Sequence, residues 1–329
     1  MKTIYFSDSE LEEAAALLRS GELVAFPTET VYGLGANALN TAAVEKIFAA
    51  KGRPSDNPLI VHVSSNSQLS LLCREIPPEA TILMERLWPG PLTIVLPKRP
   101  EVPKIVTAGL DTVAVRWPNH PIAQELIRIA GIPLAAPSAN RSGRPSATTW
   151  QAVSEDLDGR IAGLIQGEPT AFGLESTVVD FTCRPPRILR PGGVSIEQLL
   201  EICPDVLPFQ RQDNATTEPP TNVNSPGLKH KHYQPTATVR IVTSDTALCN
   251  LPVTSNANWV VHYIGVNIPA KPSQFAEIRL CANLDEYGAA LFDFFRRADA
   301  CLAHAVHCEA VREFGIGVAL MDRLRRASQ

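Results

Sequence analysis

The segment KGRPSDNPLIVHV, residues 51–63, sets two cations, Lys51 and Arg53, ahead of an apolar run that contains His62. Cations at that spacing can turn toward one anion, and Pro54 and Pro58 restrict the backbone that carries them, so less entropy is lost on binding. A phosphate or a carboxylate is the matching partner. The competing reading is a solvated helix C-terminus, where the helix dipole favours cations anyway. Further stretches carry comparable chemistry. PSANRSGRPSATT, 137–149, holds five hydroxyls, two arginines and a glycine, and can offer hydroxyls and N–H groups to a phosphate without the spacing of a P-loop or a GxGxxG turn. In TVAVRWP, Arg116 ends an apolar strand and needs a partner, either a substrate carboxylate or a structural counter-ion. GLESTVVD and RILRPGG, 173–180 and 187–193, bring a Glu-Ser-Thr tip and Arg190 to turns at strand ends. PTETVYGLG, 27–35, is a fourth polar loop of the same kind.

These groups need a scaffold, and the periodicity of the chain supplies one. SDSELEEAAALLRSGE, TAAVEKIFAAKGR, PPEATILMERLW, HPIAQELIRIAG, WQAVSEDLDGRI and VSIEQLLEIC predict helices. LVAF, PLIVHVSS, LTIVLPK, TVAVRWP, PLAAPSA, GLIQGE, STVVDF and RILRPG predict strands. The interleaving without strict repetition predicts an α/β fold on a twisted mixed sheet. In open α/β sheets ligands bind in the crevice beyond strand ends, which is where the polar loops fall.

The composition changes over 209–236, rich in Pro, Asn and Thr, which predicts a linker. Beyond it TVRIVTS, NWVVHYIG and AEIRLC predict strands. EYGAALFDFFRRADA predicts a helix, continued or restarted by RRADACLAHAV, and GIGVALMDRLRRAS a closing helix. The expected division is therefore 1–208, a linker at 209–236, and a small α/β domain at 237–329.

The net charge of -4 argues against a generally basic nucleic-acid coat. No apolar run approaches the ~18 residues needed to span a bilayer, and the N-terminus is acidic, so no membrane association and a cytoplasmic location are expected. The seven cysteines are scattered without a CxxC pair, which favours free thiols over a zinc site or a disulfide framework.

Taken in order, PTETVYGLG, KGRPSDNPLIVHV, LWPGPLT, PSANRSGRPSATT, ESTVVD and ILRPGG resemble the YrdC family. SPGLKHKHYQP with the added C-terminal domain is similar to the family's longer, two-domain L-threonylcarbamoyladenylate synthases. The resemblance implies a twisted open sheet with a large concave, positively charged cavity, and a smaller Rossmann-like C-terminal domain. It implies a reaction that joins L-threonine, bicarbonate or CO2, and ATP into threonylcarbamoyl-AMP and pyrophosphate. The product serves the N6-threonylcarbamoyl modification of adenosine in tRNA, so the downstream tRNA threonylcarbamoyl transferase machinery, and tRNA itself, are candidate partners.

Carried over residue by residue, Lys51, Arg53 and Asn57 are expected to hold ATP phosphates and bicarbonate, with Lys51 and Arg53 as the catalytic cations. Thr112, Ser138, Ser146, Arg190 and Tyr233 are expected to complete the ATP site. Thr30, His62, Arg116, Ala136 and Ser176 are expected to frame threonine, with Thr28 the alternative to Thr30 and Tyr32 a cavity wall. Lys229, His232 and Tyr233 are expected to form a lid, and Mg2+ is expected to arrive with ATP. The runner-up reading, a double-stranded RNA or tRNA binder without turnover, is disfavoured by the acidic balance and by the lack of Lys/Arg runs.

Overall fold

The computed structural model describes residues 2–210, 233–243, 259–269 and 271–329. In chain order the first unit comprises β1 (Ile4–Phe6), α1 (Leu11–Arg19), β2 (Val24–Phe26), β3 (Gly33–Asn37), α2 (Thr41–Lys51), β4 (Ile60–His62), α3 (Asn66–Ser70), α4 (Pro78–Leu87), β5 (Leu92–Pro97), β6 (Thr112–Arg116), α5 (Pro121–Ala130), β7 (Leu134–Ala135), α6 (Trp150–Leu157), β8 (Gly163–Ile165), β9 (Thr177–Asp180), β10 (Arg187–Arg190) and α7 (Ile196–Ile202). Its strands form one mixed sheet in the order β1-β8-β2-β3-β7-β4-β6-β5-β9-β10.

Alternation along the strands divides the apolar side chains between two layers. Val24 and Phe26 of β2 join α1 and α5 in one cluster, while Ala25 joins the main core on the other face. In the centre, Val61, Ile94, Val113, Val115 and Val179 enter the main core. Ile60, Val95, Ala114 and Val178 make a smaller apolar floor on the opposite face.

The helix boundaries follow local chemistry. The Asn40 side chain accepts from the Ala43 N–H at the start of α2, and Gly52 ends that helix in the left-handed region. Ser195 and Gln198 form a capping box on α7.

The second unit comprises β11 (Thr238–Val242), β12 (Val261–Gly265), a 3-10 turn (Pro272–Gln274), β13 (Glu277–Leu280), α8 (Leu284–Ala300), β14 (Ala305–Glu309) and α9 (Ile316–Ala327). Its strands are all parallel, in the order β11-β14-β12-β13. Both helices contribute to one apolar cluster with Val239, Ile264, Val306 and Cys308. Val31, Leu174 and Tyr233 join the same cluster, so the two units share an apolar interface.

Several elements differ from expectation. Ala305 and Val306, expected to end a helix or its restart, instead open the interior strand β14 between β11 and β12. Its Ala and Cys content is poor in strand formers, and pairing on both sides overrides that local preference. β3 escaped the reading because GLGAN lacks β-branched residues. Its glycines are needed because a Cβ on Gly35 would come within 2.8 Å of the Phe26 ring. β1 and the short α3 were also unforeseen. Lys229, His232 and most of the expected linker lie outside the described residues. No helix among the described residues is long and apolar enough to cross a membrane.

Candidate active site

The parallel strands β4 and β6 end side by side, so that His62 pairs in register with Arg116. The antiparallel β5 sets Thr93 beside Arg116, and the parallel β9 brings Ser176 alongside the start of β5. Thr93 and Ser176 share a hydroxyl hydrogen bond of 2.7 Å. Residues spread over more than a hundred positions thus meet at one end of the sheet.

Arg116 is buried and spends its fork on three groups. Nη1 donates to Thr30 Oγ1 at 2.8 Å, Nε donates to the Gly90 carbonyl at 3.3 Å, and Nη2 lies 2.7 Å from Glu29 Oε2. Thr30 Oγ1 also lies 2.9 Å from Thr28 Oγ1. Of the two partners foreseen for Arg116, the structure supplies the internal carboxylate of Glu29, and the guanidinium still lines the cavity. His62 is buried and its pKa falls to about 3, because burial and the neighbouring Arg116 both disfavour the charged ring.

A cavity opens beside these groups. Its lining includes the guanidinium residues Arg53, Arg116, Arg144 and Arg190, the hydroxyl residues Thr28, Thr30, Ser138, Ser146 and Ser176, and Ile60, Ala136, His62, Tyr32 and Tyr233. Tyr32 is a wall residue, its hydroxyl tied to the Gly167 backbone. Arg53 Nη2 donates to the Asn57 and Pro58 carbonyls at 3.1 and 3.2 Å, and burial lowers its pKa to about 10. Arg190 grips the opposite wall, Nε and Nη2 both donating to the Ser176 carbonyl and Nη2 also to Ser176 Oγ.

Lys51, Asn57 and Thr112 stand apart from this lining. The Lys51 ammonium donates to the main-chain carbonyls of Ser138 and Asn140, the latter at 2.5 Å. Burial and the neighbouring Arg53 pull its pKa well below the ordinary lysine value. It therefore buttresses the hydroxyl-rich loop where direct contact with a ligand was expected. Asn57 is fully buried, and both side-chain polar atoms lack hydrogen-bond partners. Thr112 opens β6, at the far end of the strand from Arg116. There the parallel register that sets Ile60 against Ala114 carries it toward Pro58, which does line the cavity.

Residues beyond those expected by number complete the site. Glu175 and Arg144 line the cavity. Glu175 accepts from Ser146 Oγ at 2.7 Å and from Arg323 Nε at 2.6 Å. Desolvation opposes its charge, but Arg323 and Arg190 beside it hold its pKa below the ordinary value. Arg296 of α8 reaches Asp156 at 2.9 Å and the Pro145 carbonyl at 2.6 Å. Asp156 also binds the Arg141 N–H and the Arg144 guanidinium. The only sequence signal for Arg296 and Arg323 is a cation inside an amphipathic helix, which is usually solvated.

Close backbone approach shapes one wall. A Cβ on Gly192 would meet the Glu175 carbonyl oxygen, the Ser176 carbonyl carbon and the Thr177 nitrogen at 2.3 Å each. The Pro-Gly-Gly turn is what lets Arg190 lie against Ser176.

Residues 16–192 match the Sua5/YciO/YrdC family model, described as "Telomere recombination". Residues 194–329 match the model described as "Threonylcarbamoyl-AMP synthase, C-terminal domain". Over 318 residues the chain is 44% identical to the threonylcarbamoyl-AMP synthase of Pyrococcus abyssi, covering 96% of this chain and 93% of that protein. It is also 44% identical over 336 residues to the threonylcarbamoyl-AMP synthase of Bacillus subtilis, covering 98% and 94%. The crystal structure of P. abyssi Sua5 complexed with L-threonine aligns with a TM-score of 0.89 at 41% identity, covering 99% of this chain and 98% of that one. E. coli YciO shares the fold of the first unit, with a TM-score of 0.55 at 23% identity over 60% of this chain and 100% of that one. The chain belongs to the Sua5/YciO/YrdC family, in the two-domain form that carries the C-terminal domain of threonylcarbamoyl-AMP synthases.

Proposed function

We propose that the protein makes threonylcarbamoyl-AMP and pyrophosphate from L-threonine, bicarbonate or CO2, and ATP, and so supplies the threonylcarbamoyl group for tRNA modification in the cytoplasm. In this reading residues 1–208 are the catalytic unit, 209–236 the linker and 237–329 an accessory domain. The observation that carries it is the convergence of Arg53, Arg144 and Arg190 on one cavity with Arg116, Thr30, His62 and Ser176. Four guanidiniums suit a triphosphate and a carboxylate together better than either alone.

Threonine binds at the end formed by Thr30, His62, Arg116, Ala136 and Ser176, with its carboxylate on Arg116. A neutral His62 adds no charge to repel the substrate's ammonium group. The amine gives up a proton and attacks CO2, or bicarbonate with loss of water, to form a carbamate. A carbamate oxygen then attacks the α-phosphorus of ATP, and the bond to the β-phosphate oxygen breaks to release pyrophosphate. Arg53, Ser138, Ser146, Arg190 and Tyr233 hold the nucleotide, with Asn57 and Thr112 supporting its phosphate end. The unpaired, buried amide of Asn57 is the kind of group whose cost a polar ligand would offset. No covalent enzyme intermediate is needed, because the protein's task is placement and charge stabilisation.

Glu175 is the one carboxylate among the lining residues, and both its oxygens are engaged by Ser146 and Arg323. That lining therefore leaves no carboxylate oxygen free for a metal, and Mg2+ in this reading enters bound to the triphosphate. The test is release of labelled pyrophosphate from ATP with threonine and bicarbonate supplied or withheld. Dependence on both is expected, and release that ignores either would overturn the reading.

A further inference from the structure

Arg323 lies in α9, the last helix of the accessory domain, yet its guanidinium is fully buried against the catalytic unit. Nε donates to Glu175 Oε2 at 2.6 Å, and Nη2 donates to the Pro191 carbonyl at 3.1 Å. Its guanidinium carbon sits 5.5 Å from the centre of the Tyr233 ring, while Asp322 at 2.6 Å balances its charge from behind. Each of these contacts adjoins the proposed nucleotide site. Glu175 holds Ser146 through its other oxygen, Pro191 follows Arg190, and Tyr233 lines the cavity.

From this geometry we infer that Arg323 is a positioning residue for ATP. The accessory domain delivers one buried cation that compensates Glu175 and fixes Ser146, the Arg190–Pro191 turn and the Tyr233 ring as one wall. The inference rests on the proposed synthase reading and gives the C-terminal domain a task within it.

A buried carboxylate that loses its counter-ion must protonate or turn to the next cation. For Glu175 that cation is Arg190, already an electrostatic neighbour. Removing Arg323 would therefore draw Arg190 toward Glu175 and away from the triphosphate, and would release Ser146. Of the threonine end, Arg116, Thr30 and His62 touch none of Arg323's partners, and only Ser176, next to Glu175 and held by Arg190, is shared, so the damage falls mainly on ATP.

The test uses the full chain as R323M, R323K and the double variant E175Q/R323M. Mg-ATP affinity is measured by calorimetry, and KM for ATP and for threonine by pyrophosphate release. R323M is expected to weaken ATP about tenfold or more with threonine KM changed less than about threefold, as for a broken buried pair. R323K is expected to recover part of the loss. E175Q/R323M, which leaves no uncompensated carboxylate, is expected to recover at least half of it on a logarithmic scale. ATP affinity unchanged in R323M, equal losses for ATP and threonine, or a double variant no better than R323M would each overturn the inference. Should R323M not fold, the double variant decides alone: ATP binding more than about tenfold weaker than wild type overturns the inference. If wild type releases pyrophosphate without threonine or bicarbonate, the synthase reading fails, while the calorimetric ATP affinities still decide the role of Arg323.

Discussion

Lys51 is tied to the hydroxyl-rich loop at both of its ends: its ammonium donates to the Ser138 carbonyl, and its own carbonyl accepts from the Ser142 N–H at 2.9 Å. The two cations that open KGRPSDNP have therefore divided their work. Lys51 holds the loop from behind, and Arg53 lines the cavity. Replacing Lys51 with Met keeps the stem and removes the donor, leaving the Ser138 and Asn140 carbonyls unsatisfied. The expected cost is about 2–4 kcal/mol of stability. A drop of about 100-fold in kcat/KM should accompany it, because small misplacements of binding groups are expensive. Urea unfolding and pyrophosphate release check the two halves, and full activity in K51M would show that the loop holds itself.

Arg116 uses every arm of its fork, on Thr30, Gly90 and Glu29. A lysine ammonium is a compact point charge without the planar fork, and it cannot reach all three partners in their present geometry. R116K is expected to raise the KM for threonine about tenfold or more, with a smaller effect on ATP. Steady-state kinetics with each substrate varied in turn would reveal the split, and an equal rise for both would place Arg116 outside the threonine end.

His62 ties stability to pH. In the unfolded chain it titrates near its ordinary value, while in the fold its pKa is about 3. Above the unfolded pKa both states are neutral and nothing is lost. As pH falls below it, the unfolded chain takes up a proton that the native state refuses, so stability declines until the folded pKa is reached. The slope approaches about 1.4 kcal/mol per pH unit inside that window. His307, lowered to about 4, adds a second decline of the same sign. H62Q should flatten the acid limb by one proton in urea titrations between about pH 4 and 6.5, and an unaltered slope would mean that His62 takes up its proton in the folded state.

Gly192 is where two backbones touch. A Cβ there has main-chain atoms at 2.3 Å on the facing segment, with no flexible side chain to yield. G192A should cost about 3 kcal/mol or more and separate Arg190 from Ser176. A thermal melt and the ATP KM report the two effects. A variant as stable and active as wild type would show that the turn can shift without consequence.

Much of this protein was legible one residue at a time. Amphipathic periods marked α1, α2, α4 and α5, β-branched runs marked β4, β5, β6 and β9, and the polar loops at their ends marked the site. All of these are local signals, set by neighbours within a turn or a strand. What the chain order could not reveal was decided by partners far away. β14 is a strand because β11 and β12 flank it, although its own residues favour neither state strongly. Lys51 and Arg53 look equivalent in the sequence, yet the carbonyls of Ser138 and Asn140 take one of them out of the cavity. Arg323 resembles any cation on an amphipathic helix until the fold sets Glu175, 148 positions earlier, against it. Burial and counter-charge depend on which surfaces meet, and no spacing along one strand of text encodes that.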